Sequence, residues 1–152
     1  MSQDQHLYLE DLVVGQTFIT GSHAINAMQI IEFARQFDPQ PFHLDPEEAR
    51  HSLFNGLAAS GWHTASITMR LLVESGFALA GGIIGSEATL KWPRPTRAGD
   101  ILTVFGEVID VRPSRSRPDR GWAEIRAETR NQNDQVVQIF TSTLVVQRRP
   151  AA

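Results

Sequence analysis

Residues 59–75 carry a helical pattern with almost no polar face, and that limits the folds open to this chain. Trp62, Ala65, Ser66, Met69, Leu72 and Val73 fall along one stripe, while Ile67 and Leu71 add apolar character on other faces. Such a helix has to be wrapped by other structure. Gly76 is the expected C′ stop. Downstream, residues 83–92, 101–111, 122–131 and 135–147 have strand character. In the second of these, Thr103, Phe105, Glu107, Ile109 and Val111 alternate with Val104, Gly106, Val108 and Asp110. Asn131-Gln132-Asn133-Asp134 reads as a hairpin turn, and 112–121, rich in Arg, Pro and Ser, as a surface loop. With 16–22 as an opening strand, the pattern predicts about five antiparallel strands around one long helix.

Upstream of that helix, Asn26 and Gln29 form a capping-box pair, and Ile30, Phe33, Ala34 and Phe37 follow on one face. Pro39 ends this helix at about Asp38, because the residue before a proline is pushed out of the α region. A second short helix is expected to start at Asp45-Pro46-Glu47-Glu48, with an N-cap acid, proline at the first position and a capping-box Glu, and to end by Asn55-Gly56. The class is α+β. Two architectures suit the inventory: the hot-dog fold, an antiparallel sheet around a central helix, and the cone-shaped fold of scytalone-dehydratase-type enzymes.

The 152 residues suit a single domain spanning 1–152, and 41% hydrophobic with 20% charged residues is ordinary for a soluble chain. A net charge of −3 gives no basic excess for nucleic acid or an anionic membrane. There is no cysteine, which excludes disulfides, thiolate metal sites and a Cys nucleophile. The polar start Met1-Ser2-Gln3-Asp4-Gln5-His6 lacks the pattern of a secretory leader, and no run of some twenty apolar residues occurs, so the expectation is a cytoplasmic protein.

The chemistry-bearing residues cluster between Asp38 and Gly61. His43 follows Asp38 by five residues, with Pro39 and Pro41 stiffening the chain between them. A carboxylate and an imidazole facing one water can share acid and base work. Gly61 opens the apolar helix, where its N–H lacks an intrahelical partner and no side chain blocks close approach. It is a candidate donor to a thioester oxygen that gathers negative charge. Read singly, each residue has a plainer role: Asp38 as a turn former, His43 as a surface or core residue, Gly61 as a packing position.

Phe37-Asp38-Pro39-Gln40-Pro41-Phe42-His43-Leu44-Asp45-Pro46, then Ala49, Phe54 and Ser60-Gly61, resembles the MaoC-type, (R)-specific enoyl-CoA hydratase family. That family writes its core as D-x(4)-H-x-D, then F, then a helix-opening HG. The stretch Lys91-Trp92-Pro93-Arg94-Pro95 with Gly99-Asp100 is also similar, so the resemblance runs from about residue 10 to 147. It implies a hot-dog fold and a homodimer or higher homo-oligomer with sites at or near the subunit interface. It also implies an Asp38–His43 catalytic dyad, an oxyanion N–H from Gly61 and an acyl-CoA or acyl carrier protein thioester as substrate, with no cofactor.

Two positions depart from the pattern: Ser60 stands where many relatives have His, and Met69 at about the place of a serine that supports the catalytic acid, a role Ser66 could take one turn earlier. Ser60 and Ser66 are therefore expected at the substrate, and so is Trp62, which stands beside Gly61, although helix-face packing explains Trp62 equally well. Asp45 is expected to cap a helix, and His51 and His63 to be structural or exposed, with lining of the pocket the alternative for His63, two residues past Gly61. The histidines lack zinc spacing, so no metal is expected. Arg112, Arg115, Arg117 and Arg120 suit phosphate, but a solvated loop explains them more simply. The implied reaction is interconversion of trans-2-enoyl-CoA and (R)-3-hydroxyacyl-CoA. Alternatives are a hot-dog acyl-CoA thioesterase, for which Glu74 is the one acid within the long helix, and a non-catalytic acyl-thioester-binding protein.

Overall fold

The computed structural model describes residues 6–151; Met1–Gln5, on which the expectation about a leader partly rested, and Ala152 lie outside the described residues. The chain runs β1 (Thr17–Ala24), α1 (Ala27–Phe37), α2 (Pro41–Leu44), α3 (Pro46–Ala49), α4 (Gly61–Val73), β2 (Ile84–Lys91), β3 (Ile101–Pro113), β4 (Arg120–Arg130) and β5 (Val136–Gln147). The five strands form one antiparallel sheet in the order β1-β3-β4-β5-β2. No helix among the described residues is long and apolar enough to cross a membrane.

α4 lies against the sheet: Ile67, Leu71 and Leu72 pack into a core with Leu102, Val104, Ala127 and Val137. Burying each such side chain contributes about 1.5–3 kcal/mol. This is the hot-dog arrangement, an antiparallel sheet curled on a central helix; the cone alternative is set aside. On β3 the even positions Leu102, Val104 and Val108 face inward until a register shift between Val108 and Asp110.

The helix starts follow their local chemistry. Gln29 N–H donates to Asn26 Oδ1 at 2.8 Å and Asn26 N–H to Gln29 Oε1 at 3.2 Å, so two orphan donors are satisfied at α1. Asp45 Oδ1 accepts from Glu47 N–H at 2.9 Å and starts α3 behind Pro46, but the expected capping-box glutamate does not reciprocate, because Asp45 N–H is already taken by Pro41 O at 2.9 Å. Asn131 Oδ1 accepts from Asn133 N–H at 2.9 Å and Gln135 N–H at 3.1 Å, forming the β4–β5 turn.

Several expectations are corrected. The face of α4 that is buried carries His63, Thr64, Ile67, Thr68, Leu71 and Leu72, whereas Trp62, Met69 and Val73 are exposed. The buried hydroxyls are tolerated because each has a partner: Thr64 Oγ1 donates to Thr96 Oγ1 at 2.9 Å, and Thr68 and Thr129 pair at 2.6 Å. α4 ends at Val73 without a left-handed glycine, since Ser75 Oγ donates to the Leu72 carbonyl at 2.7 Å. Phe37 is exposed at the end of α1. α3 stops at Ala49, well short of Asn55-Gly56, and residues 41–44, read only as a stiff turn, form the one-turn helix α2. β3 and β4 extend into the expected 112–121 loop, leaving only 114–119 between them.

Candidate active site

Asp38 leaves α1 with its N–H still donating to Ala34 O at 2.8 Å, and the next residues turn tightly, Gln40 N–H reaching Asp38 O at 2.8 Å. Pro41 occupies the first turn of α2, where its missing N–H costs nothing. That single turn swings His43 back on Asp38, Nε2 to Oδ2 at 3.3 Å, with both side chains largely withdrawn from solvent. The two prolines thus serve the geometry for which the spacing suggested them.

The other ring nitrogen decides what this pair can do. His43 Nδ1 lies 2.6 Å from the Ala58 carbonyl oxygen. A carbonyl only accepts, so Nδ1 carries a proton, and in the neutral ring Nε2 presents a lone pair. Burial opposes ionisation of Asp38, but hydrogen bonds from Gln40 and then Ser60 lead the effects that outweigh it and hold the carboxyl below its usual range. Gln40 Nε2 reaches Asp38 Oδ1 at 2.5 Å. An ionised carboxylate and a bare imidazole nitrogen are two acceptors, and a water seated over the pair from the cleft can satisfy both with its two hydrogens.

Both members open on a cleft of about 320 Å³ lined also by Phe54, Ala59, Gly61, Trp62, Thr64 and Trp92–Thr96. Gly61 is the first residue of α4, and its N–H meets no acceptor among the described residues. The glycine is also required for packing: a Cβ there would lie 2.7–2.9 Å from three atoms of the Trp92 indole. Trp92 Nε1 donates to Gln138 Oε1 at 2.9 Å, and Gln138 Nε2 to Thr68 Oγ1 at 3.0 Å, so a polar chain running from the exposed Trp92 to buried Gln138 and Thr68 fixes this wall of the cleft.

The remaining candidates separate. Ser60 is fully buried: its Oγ accepts from Trp62 N–H at 3.2 Å, capping α4, and its hydroxyl serves Asp38, so it acts behind the carboxylate and does not line the cleft. Trp62 lines the cleft, its ring edge against Trp92 at 5.6 Å. Ser66 is not brought to the cleft; its Oγ donates to Trp62 O at 2.8 Å, within its own helix. His63 stacks on Phe33 at 4.5 Å, outside the cleft, with Nδ1 buried and unpartnered. Burial first, and then the charge of His23, lower its pKa to about 4. His51 is exposed near Glu47. Among the described residues no three His, Asp or Glu side chains cluster as a metal site requires.

Sequence reasoning missed Phe54, Thr64 and Thr96 as lining residues. The proline-rich stretch around Trp92 was visible as a motif, but its place over Gly61 was not.

The MaoC-like domain family matches residues 12–129. The MaoC-like dehydratase of Rhodospirillum rubrum has the same fold at a TM-score of 0.93 and 58% identity, over 95% of this chain and 99% of that one. The uncharacterised protein YdeM of Bacillus subtilis is 34% identical over 91% of this chain and 96% of its own length. A 3-hydroxybutyryl-CoA dehydratase of Methylorubrum extorquens is 35% identical over 73% of this chain and 69% of its own length. With the hot-dog architecture and an Asp–His pair facing a cleft at the start of its central helix, the chain belongs to the MaoC-like dehydratase family.

Proposed function

We propose that this protein interconverts trans-2-enoyl-CoA and (R)-3-hydroxyacyl-CoA, with Asp38 and His43 holding the water and Gly61 N–H stabilising the thioester oxygen. The observation that carries this reading is the pair of acceptors 3.3 Å apart, with the His43 proton committed to Ala58. In hydration, the water gives one proton to the pair while its oxygen bonds Cβ; the pair gives one proton to Cα, and its charge is restored. The thioester oxygen gathers charge as the enolate forms, and the free N–H at the helix start is the group suited to receive it. Similarity to a 3-hydroxybutyryl-CoA dehydratase supports a CoA thioester with a short acyl group. We further propose a homodimer as the working assembly. The thioesterase alternative is weakened because Glu74 caps the far end of α4, paired with Arg70 at 3.3 Å.

The test is loss of enoyl absorbance across a series of enoyl-CoAs. Asp38→Ala and His43→Ala are each expected to lower kcat by about 10²–10⁴-fold, the usual contribution of a positioned acid or base. The reading fails if no acyl length turns over or if both variants keep full activity. Retained thioester binding without turnover, in wild type and variants alike, would instead identify a non-catalytic binding protein.

A further inference from the structure

The oxygen that commits the His43 proton belongs to a segment with an unusual backbone. Asn55 has φ 53° and Gly56 φ 144°, two successive residues in the left-handed half of the map. Such conformations persist only where surrounding structure over-determines them. The turn's own N–H groups are met from before it, Asn55 by Ser52 O at 3.0 Å and Gly56 by Ala49 O at 2.9 Å, and its carbonyls are met by one side chain. Arg97 Nη1 donates to Gly56 O at 2.9 Å and Leu57 O at 3.2 Å, and Nη2 donates to Phe54 O. All of its side-chain partners are backbone carbonyls, and a guanidinium fork is the group that can bridge several acceptors in fixed geometry.

The bridged segment leads directly into the site. Phe54 lines the cleft and packs against the Phe42 ring at 5.0 Å. Ala58 N–H donates to Phe42 O at 3.2 Å, Ala59 N–H to Thr96 O at 2.9 Å, and Ala58 O accepts from His43. Arg97 is itself anchored, its N–H donating to Asp100 Oδ2 at 2.9 Å.

We infer that Arg97 is a positioning residue: by clamping the Phe54, Gly56 and Leu57 carbonyls it holds the Ala58 oxygen on His43 Nδ1 and so determines which ring nitrogen faces Asp38. Its importance for turnover rests on the hydratase reading; its effect on the ring does not. Without the clamp the turn relaxes, Ala58 O moves away, and the proton is free to reside on Nε2, where it displaces one of the two acceptors the water requires.

The experiment is nitrogen NMR on histidine-labelled protein, with His43 assigned by the signals lost in His43→Gln. Wild type is expected to show Nδ1–H alone. Arg97→Met is expected to show a mixture of both tautomers, with kcat lowered about tenfold to hundredfold, as for an ångström-scale misplacement, and KM changed less than twofold. Arg97→Lys keeps the stem and charge but lacks the fork, and is expected to fall between them. A folded Arg97→Met that retains Nδ1–H alone overturns the inference. Should Arg97→Met fail to fold, Arg97→Lys decides by the same reading, a wild-type His43 signal counting against the clamp. If wild type shows no hydratase turnover, the functional reading falls while the tautomer comparison still decides the role of Arg97.

Discussion

Replacing Gly61 by Ala keeps the helix-opening N–H and tests whether the tryptophan above it is what requires a glycine. The backbone at Gly61 is open to any residue, since it is not among the glycines with positive φ. The added Cβ, however, would stand 2.7–2.9 Å from three atoms of the Trp92 indole, closer than real contacts allow. Trp92 must therefore move, and its bond to Gln138 Oε1 breaks. Gln138 is fully buried, so its freed oxygen cannot turn to water. An unsatisfied buried acceptor costs about 1–3 kcal/mol, against which alanine recovers up to about 1 kcal/mol of helix propensity. The net expectation is a loss of about 1–2 kcal/mol, or a Tm lower by roughly 2–8 °C in a chain of this size. Urea unfolding of Gly61→Ala, Trp92→Ala and the double variant measures the coupling. In the Trp92→Ala background the alanine has nothing to strike and should be neutral or slightly stabilising. Equal cost in both backgrounds, or no cost in wild type, refutes the packing argument.

Two further predictions concern pH. In the unfolded chain His63 titrates near 6.5 and in the fold at about 4, so unfolded molecules take up a proton the fold refuses, and stability falls as pH drops through that window. The shift itself bounds the effect near ~3 kcal/mol, and screening brings it to about 1–2 kcal/mol. His63→Phe, which keeps the stack on Phe33, should flatten the pH dependence of urea midpoints; an unchanged slope counts against this assignment. At the C-terminus, the Arg149 N–H and then the Arg148 side chain hold Glu10 down to about 2. Its unfolded carboxyl titrates near 4.5, so this anchoring is full above that value and is lost as pH falls towards 2. Protection of Arg149 N–H from hydrogen exchange, measured against an unstructured amide at the same pH, should persist to well below pH 4.5; in Glu10→Ala it should be lost throughout.

What could be read in advance was what chemistry places within a few residues. Asn26 with Gln29, Asp45 with Pro46, and the alternation along β3 each express a local rule, and the structure obeys them. Asp38 and His43 were legible as a pair because prolines constrain the short path between them. The buried face of α4 was misread for the opposite reason. Thr64 and Thr68 look like solvent residues until Thr96 and Thr129 are brought to them from 32 and 61 positions away. Ser60 was read as a substrate contact, and only the fold shows its hydroxyl turned to Asp38. Trp92 over Gly61, and the Ala58 oxygen on His43, likewise arise only when distant segments meet.

That the His43 proton is assigned by a main-chain oxygen has a genetic consequence. Every amino acid at position 58 supplies the same carbonyl, so no codon change there deletes the acceptor; only a change that reroutes the chain can. The acceptor itself is thereby insulated from mutation at its own residue, although Ala58 is fully buried and a larger side chain there would shift the chain that carries it. Its vulnerability is transferred to distant positions such as Arg97 and Gly56, where substitutions that never touch the dyad can still alter its state.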